Sequence, residues 1–184
     1  MNVPTTGLEG LDRASLSDRT CEVLNRGGWG NPDVLLVETV SGLAVVKDYS
    51  PRTAFVRRWV GPWMLSREAR AYHRLEGVEA IPRLLGSLDA EALIFEYRPG
   101  VLLSRSLAGR LPPTFLTDLQ RAISDIHDKG VVHLDLRHRS NILAGEDGRP
   151  VVLDFASALR GRLFVILFGW LDRRALRKWR VRLL

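Results

Sequence analysis

Residues 133–143 read HLDLRHRSNIL, and residues 151–156 follow as VVLDFA. Asp135 comes directly after an apolar run, Asn141 follows it six positions later, and Asp154 ends a second apolar run. A carboxylate beside apolar residues is costly unless it has a partner, so both aspartates need one. Phosphoryl transfer uses this set, because one carboxylate orients or deprotonates an acceptor hydroxyl while oxygen ligands hold Mg²⁺ against the phosphates.

Two residues upstream extend the set. Lys47 closes an apolar run, where its ammonium can meet phosphates, and Glu68 lies in the next amphipathic segment, where it can hold that lysine in place. Of the 27 basic residues only three are lysine, namely Lys47, Lys129 and Lys178, so a lysine in a strand needs a reason. The sequence therefore favours a nucleotide role for Lys47.

Periodicity predicts an α+β protein that is strand-rich first and helix-rich later. Strands are predicted over 34–40, 43–47, 83–88 and 92–97, helices over 63–75 and 115–129, and a hairpin from 141–143 and 151–153. Pro99-Gly100 ends the first sheet. The predicted organisation is a loosely ordered start, an N-lobe, a C-lobe core and an apolar then basic C-terminal helix, over 1–20, 21–98, 99–158 and 159–184 respectively.

Length and composition exclude several classes of protein. The chain has 184 residues of which 46% are hydrophobic, which suits one domain or two small lobes rather than a disordered chain or a fibre. The lone Cys21 cannot form an internal disulfide, and the first thirty residues lack an apolar run of signal-peptide length. We therefore expect a cytoplasmic protein, with a peripheral position on the inner face of the membrane as an extension of that expectation.

From residue 26 to residue 158 the chain resembles the protein-kinase-like superfamily. Residues 44–47 (AVVK) look like the strand that carries the nucleotide lysine, and residues 67–69 (REA) like the helix that supplies its ion-pair partner. Residues 95–98 (FEYR) resemble the hinge, which implies that the backbone of Glu96 and Tyr97 binds adenine. The segment HLD at 133–135 resembles the catalytic loop, and DFA at 154–156 stands where the family has Asp-Phe-Gly.

The resemblance implies a two-lobed kinase-like fold, with an antiparallel N-lobe sheet, one main helix beside it and a truncated, mostly helical C-lobe. It implies ATP with Mg²⁺ or Mn²⁺ as the cofactors. Asp135 would orient the acceptor hydroxyl, and Arg137 would offset charge on the transferring group. The metal ligands would be Asn141 and Asp154, and the phosphates would be held by Lys47, fixed by Glu68.

Three features depart from the family pattern. Residues 26–33 (RGGWGNPD) keep Gly28 and Gly30 as candidate phosphate contacts but place Asp33 where a third glycine might stand. The interval from Asp135 to Asn141 is one residue longer, which predicts a bulge within 138–140 that leaves the role of Asn141 intact. No Ala-Pro-Glu segment follows Ala156, so the chain looks like a minimal kinase, similar to RIO kinases and to bacterial lipopolysaccharide sugar kinases.

The C-terminal segment carries the basic charge. Residues 160–184 hold eight basic residues and one acid, a net +7, whereas the whole chain carries +6. Its nine uncharged residues at 163–171 are too few to span a bilayer and suit a helix that covers the lower lobe. Leu176, Trp179 and Leu183 recur at helical spacing among cations, which predicts an interfacial helix on anionic lipid. No nucleic-acid reader motif accompanies them, so no specific nucleic-acid partner is expected.

These observations predict an ATP-dependent phosphotransferase that acts on a hydroxyl, and the acceptor stays open. Similarity to RIO kinases implies Ser/Thr of a protein, whereas similarity to lipopolysaccharide kinases and the basic tail imply a sugar hydroxyl of a membrane glycolipid. A nucleotide-binding pseudokinase adaptor is the third reading. The incomplete glycine segment and longer catalytic loop favour it, while Lys47, Asp135 and Asp154 oppose it.

Overall fold

The computed structural model describes residues 11–183, and the chain divides into two compact units. Unit 1 contains the described residues up to Ala69 together with Arg83–Tyr97, and unit 2 contains Arg70–Pro82 and the described residues from Arg98 onward. Antiparallel strands and helices occur in the order the sequence predicts, which confirms the α+β class.

Unit 1 is built on an antiparallel sheet of five strands in the order β1-β2-β3-β5-β4. Its elements are α1 (Leu16–Arg19), β1 (Thr20–Asn25), β2 (Asp33–Thr39), β3 (Gly42–Asp48), a π-helical turn (Val56–Val60), the start of α2 (Gly61–Arg74), β4 (Leu84–Asp89) and β5 (Ala92–Glu96). The turn between β2 and β3 needs glycine, because Gly42 has a φ of 114° that side chains rarely tolerate.

The alternation of strand β3 places its core residues on one face of the sheet. Ala44 and Val46 are fully buried and pack with Val37 of β2 and Ile94 of β5. Because side chains alternate along a strand, Lys47 points to the face opposite these residues. The hydrophobic face thus fixes the direction in which the lysine emerges.

The start of the chain differs from the sequence expectation of a loosely ordered segment over 1–20. Leu11 and Leu16 are buried in the core cluster of unit 1, and α1 begins at Leu16. Because most of this segment is polar, its composition did not indicate that Leu11 and Leu16 pack against one face of the sheet. Residues 1–10 of the expected segment, and Leu184 at the other end, lie outside the described residues.

Unit 2 combines two small antiparallel sheets with two long helices. Its elements are the end of α2, β6 (Gly100–Leu102), a 3₁₀ turn (Arg105–Leu107), α3 (Phe115–Asp128), β7 (Val131–Val132), a 3₁₀ turn (Arg139–Asn141), β8 (Ile142–Gly145), β9 (Pro150–Val152), β10 (Leu159–Arg160) and α4 (Arg162–Leu183). The sheets have the orders β6-β8-β9 and β10-β7.

Helix α3 carries the core of unit 2 and ends at a glycine. Leu119, Ile123 and Ile126 recur at helical spacing and are buried. Gly130 follows the helix with a φ of 71°, and its N–H donates to the carbonyl of His127 at 2.8 Å. A left-handed glycine in this position ends the helix and directs the chain into β7, which leads to the stretch HLDLRHRSNIL.

Helix α4 is one continuous element of 22 residues, and it buries a different face from the one that composition suggested. Trp179 and Leu183, which the sequence assigned to a lipid surface, are buried in unit 2. The apolar half, expected to cover the lower lobe, instead exposes Leu163 and Ile166. Because α4 has apolar residues on more than one side, its sequence pattern does not show which face is buried. The buried face depends on the residues that pack against the helix. Within residues 11–183 no helix is both long and apolar enough to cross a membrane.

Candidate active site

Lys47 and Glu68 form a largely buried ion pair in unit 1. The Nζ of Lys47 lies 2.5 Å from Oε1 of Glu68, and the side chains are 12% and 3% exposed. Lys47 Nζ also lies 5.7 Å from the centroid of the Phe95 ring. Charge pairing between β3 and α2 holds the ammonium in one place, and removal of either partner would leave a buried charge unpaired.

The glycine segment between β1 and β2 is closed by an ion pair that the sequence reading missed. Asp33 accepts a hydrogen bond from the Gly27 N–H at 2.9 Å and pairs with the guanidinium of Arg52. Arg52 also donates to the Gly27 carbonyl at 2.8 Å. Asp33 stands at the position where a third glycine might have been. Its contacts with Gly27 and Arg52 therefore stabilise the segment.

Steric need singles out a different glycine from the two predicted. A Cβ on Gly27 would lie 2.2 Å from the carbonyl oxygen of Asn31 and 2.3 Å from that of Pro32, whereas nothing lies within 4 Å of a Cβ on Gly28 or Gly30. The fold of this segment thus requires Gly27. Gly28 and Gly30 leave their surroundings open, and their predicted phosphate contact stays a prediction.

The predicted hinge follows the last strand of the N-terminal sheet. Glu96 ends β5, donates its backbone N–H to the carbonyl oxygen of Arg83 and accepts the Arg83 N–H through its carboxylate, both at 2.9 Å. Glu96 and Tyr97 are half-buried. The carboxylate therefore clamps the neighbouring chain segment, and adenine binding by this backbone stays a prediction.

In the catalytic-loop candidate, Asp135 and Asn141 are in direct contact. Asp135 is exposed, while Asn141 is 2% exposed and donates its Nδ2 to both the backbone oxygen and Oδ2 of Asp135 at 2.9 Å. A 3₁₀ turn spans Arg139–Asn141, beside the segment 138–140 in which the sequence predicted a bulge. A buried amide thus orients an exposed carboxylate, which suits a group that receives a proton from an outside hydroxyl.

His133 anchors this loop as a neutral ring. It is fully buried, its Nε2 lies 2.9 Å from the carbonyl oxygen of Leu153, and the Asp135 N–H reaches its Nδ1 at 3.3 Å. Only a ring protonated on Nε2 alone satisfies both contacts, since Nδ1 must accept. Burial lowers the pKa of His133, against smaller upward effects of the Leu153 carbonyl and nearby carboxylates. One ring therefore links the loop of Asp135 to the residue before Asp154.

Asp154 projects from a strained backbone position just after β9. Its φ is 62°, a left-handed conformation uncommon outside glycine, and its carboxylate accepts the Ala156 N–H at 3.3 Å. The next residue, Phe155, is fully buried and contacts the rings of Tyr72 and His133 at centroid distances of 5.3 and 4.7 Å. Packing of Phe155 stabilises the strained conformation and keeps the Asp154 carboxylate half-buried rather than buried.

A further residue that the motif search missed is Asp172 of α4. It is 1% exposed and accepts the backbone N–H groups of His133 and Leu134, both at 2.9 Å, and it contacts His127 Nε2 at 3.0 Å. Leu134 has a φ of 70°, so this carboxylate fixes a second strained residue of the loop. The signal was visible in the sequence, since Asp172 is the single acid among residues 160–184.

The indole of Trp179 adds another tie from the same helix. Its Nε1 donates to the carbonyl oxygen of Leu136 at 2.8 Å, and its ring is 2% exposed. The next residue but one from Asp135 is Arg137, which is exposed. Contacts with helix α4 thus hold the segment 133–136 in place, while the side chains of Asp135 and Arg137 lie at the surface of unit 2.

The side-chain oxygen atoms of Asp154 and Asn141 are of the ligand type that binds magnesium. Mg²⁺ is usually bound through one or two protein oxygens, with waters and substrate phosphates as its other ligands. Asn141 Oδ1 accepts a hydrogen bond from the Ser140 hydroxyl at 2.9 Å. Within the described chain no group of three or more His, Cys, Asp or Glu forms a complete metal site, so any divalent ion here would depend on ligands from the nucleotide.

The predicted site residues fall into two sets, one in each unit. Unit 1 holds the Lys47–Glu68 pair, the two glycines and the hinge, and unit 2 holds Asp135, Arg137, Asn141 and Asp154. Direct contacts join Lys47 to Glu68 and Asp135 to Asn141. Each unit therefore presents a polar group whose orientation is fixed by a buried partner.

Comparison with known proteins supports the resemblance at a coarse level. No protein-family model matches the sequence. A curated protein described as a probable casein kinase I homolog, from Encephalitozoon cuniculi (strain GB-M1), is 32% identical over 164 residues, which cover 81% of this chain and 49% of that protein. The chain thus spans about half the length of this relative. The match supports a protein-kinase-like relationship, and the α+β structure is compatible with a small kinase-like fold of two lobes.

Proposed function

We propose that the chain is an ATP-dependent phosphotransferase that phosphorylates a hydroxyl group. The observation that carries this proposal is the exposed carboxylate of Asp135, oriented by the buried amide of Asn141 at 2.9 Å. A carboxylate held in this way serves as a proton acceptor for an alcohol. The similarity to a protein described as a casein kinase I homolog supports the same reaction class.

Each residue has a defined task in the proposed reaction. Asp135 orients the acceptor hydroxyl and takes its proton while the hydroxyl oxygen bonds to the γ-phosphorus and the bond from that phosphorus to the bridging oxygen of ADP breaks. Arg137 offsets negative charge on the transferring group, and Lys47, fixed by Glu68, holds phosphate oxygens. His133 positions Asp135 and does not carry the proton.

ATP and a divalent metal are the proposed cofactors. Asp154 and Asn141 would hold Mg²⁺ or Mn²⁺, which neutralises phosphate charge when bound. The backbone of Glu96 and Tyr97 would bind adenine. Asp33 and Arg52 support this proposal indirectly, since they keep the glycine segment in a closed turn.

We propose a serine or threonine of a protein as the acceptor. The support is the similarity to a relative that is described as a probable casein kinase I homolog. A sugar hydroxyl of a membrane glycolipid, as in lipopolysaccharide kinases, is the second candidate. It is favoured by the cluster of cations that lies beside Arg137, which suits an acceptor that already bears phosphate.

The test separates chemistry from binding. Asp135→Ala should abolish phosphoryl transfer from γ-labelled ATP and leave Mg·ATP affinity nearly unchanged, because the substitution removes the acceptor base rather than a nucleotide ligand. Asp147→Ala, an exposed aspartate of the β8–β9 turn, is the matched control. Equal loss of transfer and of ATP binding in Asp135→Ala would show that Asp135 is structural.

The acceptor is identified by where the label goes. The protein is incubated with γ-labelled ATP and either a protein extract or a lipid extract. Label in protein supports the serine or threonine acceptor, and label in lipid supports the glycolipid acceptor. ATP binding without label in either fraction would favour the pseudokinase adaptor over both.

A further inference from the structure

One face of helix α4 forms a groove with the catalytic-loop candidate. The groove has a volume of about 390 Å³ and is lined by four cationic residues and one valine, namely Arg137, Arg174, Arg177, Lys178 and Val181. Arg137 belongs to the loop of Asp135, and the others belong to α4. All five residues are in unit 2, so the groove belongs to a single unit.

The cations of this groove lack acidic partners. Within residues 11–183, none of Arg137, Arg174, Arg177 and Lys178 forms an ion pair. The pKa of Lys178 is lowered, first by loss of hydration and then by the positive charges of Arg182, Arg137 and Arg105. Uncompensated like charges repel one another, and an anion with several oxygens would relieve that repulsion.

The same face of α4 continues as an exposed apolar surface. Leu163, Ile166, Leu167 and Trp170 follow helical spacing, and they are between 47% and 76% exposed. At 3.6 residues per turn, Arg174 and Arg177 fall on this same face, opposite the buried Asp172 and Trp179. We call the set Leu163, Ile166, Leu167, Trp170, Arg174 and Arg177 the outer face of α4.

We propose that the outer face of α4 docks unit 2 on an anionic phospholipid bilayer, with headgroup phosphates in the cationic groove. The apolar half would enter the boundary between headgroups and acyl chains, and the arginines would contact the phosphates. Arginine suits this contact because its planar fork binds phosphate oxygens in pairs. The surface differs from the one that the sequence indicated, since Trp179 and Leu183 are buried.

The observations favour a bilayer over a phosphorylated peptide. Either partner would satisfy the cations of the groove, but only an interface with an apolar side explains four exposed large apolar residues in line with them. Docking places the groove, and with it Arg137, at the lipid surface. The proposal does not require phosphoryl transfer, so it can fail while the proposed function stands, and the reverse also holds.

The charge contribution is tested by vesicle sedimentation. The wild-type chain should bind vesicles of phosphatidylcholine with 30% phosphatidylglycerol and should not bind pure phosphatidylcholine vesicles. Arg174→Glu with Arg177→Glu should weaken binding at least about tenfold, because the two substitutions replace attraction to the anionic surface by repulsion from it. The control pair Arg58→Glu with Arg110→Glu makes the same change in net charge at exposed sites outside α4 and should bind as wild type does.

The apolar contribution is tested in the same assay. Ile166→Gln with Trp170→Gln should weaken vesicle binding at least about fivefold, because buried apolar area sets the strength of interfacial binding. Val40→Gln, at a site 75% exposed in unit 1, is the control. The milder pair Arg174→Gln with Arg177→Gln repeats the charge test without reversal, and circular dichroism confirms helix content in every variant.

Three results would overturn the proposal. One is equal binding to neutral and anionic vesicles, and another is unchanged binding in both α4 variant pairs. The third is binding of a soluble phosphorylated peptide that depends on Arg174 and Arg177 while vesicles fail to bind, which would assign the groove to a phosphoprotein. Mg·ATP affinity, measured on the same variants, should equal that of the wild-type chain.

Discussion

Three aspartates of unit 2 have different surroundings, and the differences define their tasks. Asp135 is exposed, Asp154 is half-buried on a strained backbone, and Asp172 is buried under backbone N–H groups. An exposed carboxylate can meet an outside hydroxyl, whereas a buried one must be satisfied within the protein. The proposal therefore gives Asp135 the chemistry and Asp172 the support of the loop.

Removal of Asp172 should destabilise unit 2. Asp172→Ala leaves the buried N–H of His133 and the partly buried N–H of Leu134 without their acceptor, so we expect a loss of about 2–4 kcal/mol in the free energy of unfolding. Asp172→Asn keeps one acceptor oxygen and should lose less. Urea denaturation measures both, with the exposed Asp128→Ala as control. A loss in Asp172→Ala no larger than in the control would contradict the anchoring role.

Burial of neutral His133 makes stability depend on pH. Burial holds the pKa of His133 in the folded chain below its ordinary value of 6.5, so the unfolded chain binds the proton more readily. The stabilising contribution is thus full above about pH 6.5 and is lost as the pH falls through the folded pKa. The free energy of unfolding should fall by up to about 1.4 kcal/mol per pH unit in this window.

The comparison that isolates this effect uses two histidine variants. His133→Gln should flatten the decline of unfolding free energy between pH 7.5 and pH 5, while the exposed His73→Gln keeps the wild-type decline. Denaturation at a series of pH values measures both. Identical pH dependence in wild type and His133→Gln would show that the buried ring does not titrate in this way.

At the level of elements, the closed glycine segment depends on one glycine. Gly27→Ala places a Cβ within 2.3 Å of two backbone oxygens and should cost about 1–3 kcal/mol, because backbone must shift to admit it. Gly28→Ala meets nothing within 4 Å and should change stability by less than about 0.5 kcal/mol. Thermal and urea unfolding distinguish the two. Equal effects would contradict the steric account of this segment.

Hydrophobic periodicity predicted most elements of this fold from the sequence. The pair β2 and β3, the pair β4 and β5, and α3 lie within a few residues of their predicted bounds, because their buried faces repeat with a clear period. Strand β1 gave no such signal, since five of its six residues are exposed. Its pairing with β2, rather than a pattern in its own sequence, makes β1 a strand.

Motif spacing predicted one contact within the site but not the hydrogen bonds that hold its loop. The Lys47–Glu68 contact was expected from the sequence, whereas the Asp135–Asn141 hydrogen bond was not, because Asn141 was predicted only as a metal ligand. Asp172 escaped the search because no motif links residue 172 to residue 133, and only folding brings the helix beneath the loop. The face of α4 that packs inward was likewise decided by packing, since apolar residues occur on both of its sides.

At the scale of the whole molecule, the residues that have a task in the proposed reaction are found in both units. Unit 1 contributes a fixed ammonium on an antiparallel sheet, and unit 2 contributes the fixed carboxylates of Asp135 and Asp154 together with the basic helix α4. The positive charge lies mainly in unit 2, because residues 160–184 carry a net +7 while the whole chain carries a net +6. The proposed function expects binding of Mg·ATP to depend on Lys47 and on Asp154.

The most direct test of that claim is calorimetric titration of the chain with Mg·ATP. The wild type should bind, and Lys47→Met in unit 1 and Asp154→Asn in unit 2 should each weaken binding at least about tenfold, because the first removes the proposed phosphate contact and the second removes the proposed charged ligand of the metal. Lys129→Met and Asp147→Asn, both at exposed sites, should bind as wild type does. Absence of Mg·ATP binding in the wild type, or full affinity in both site variants, would contradict the phosphotransferase assignment.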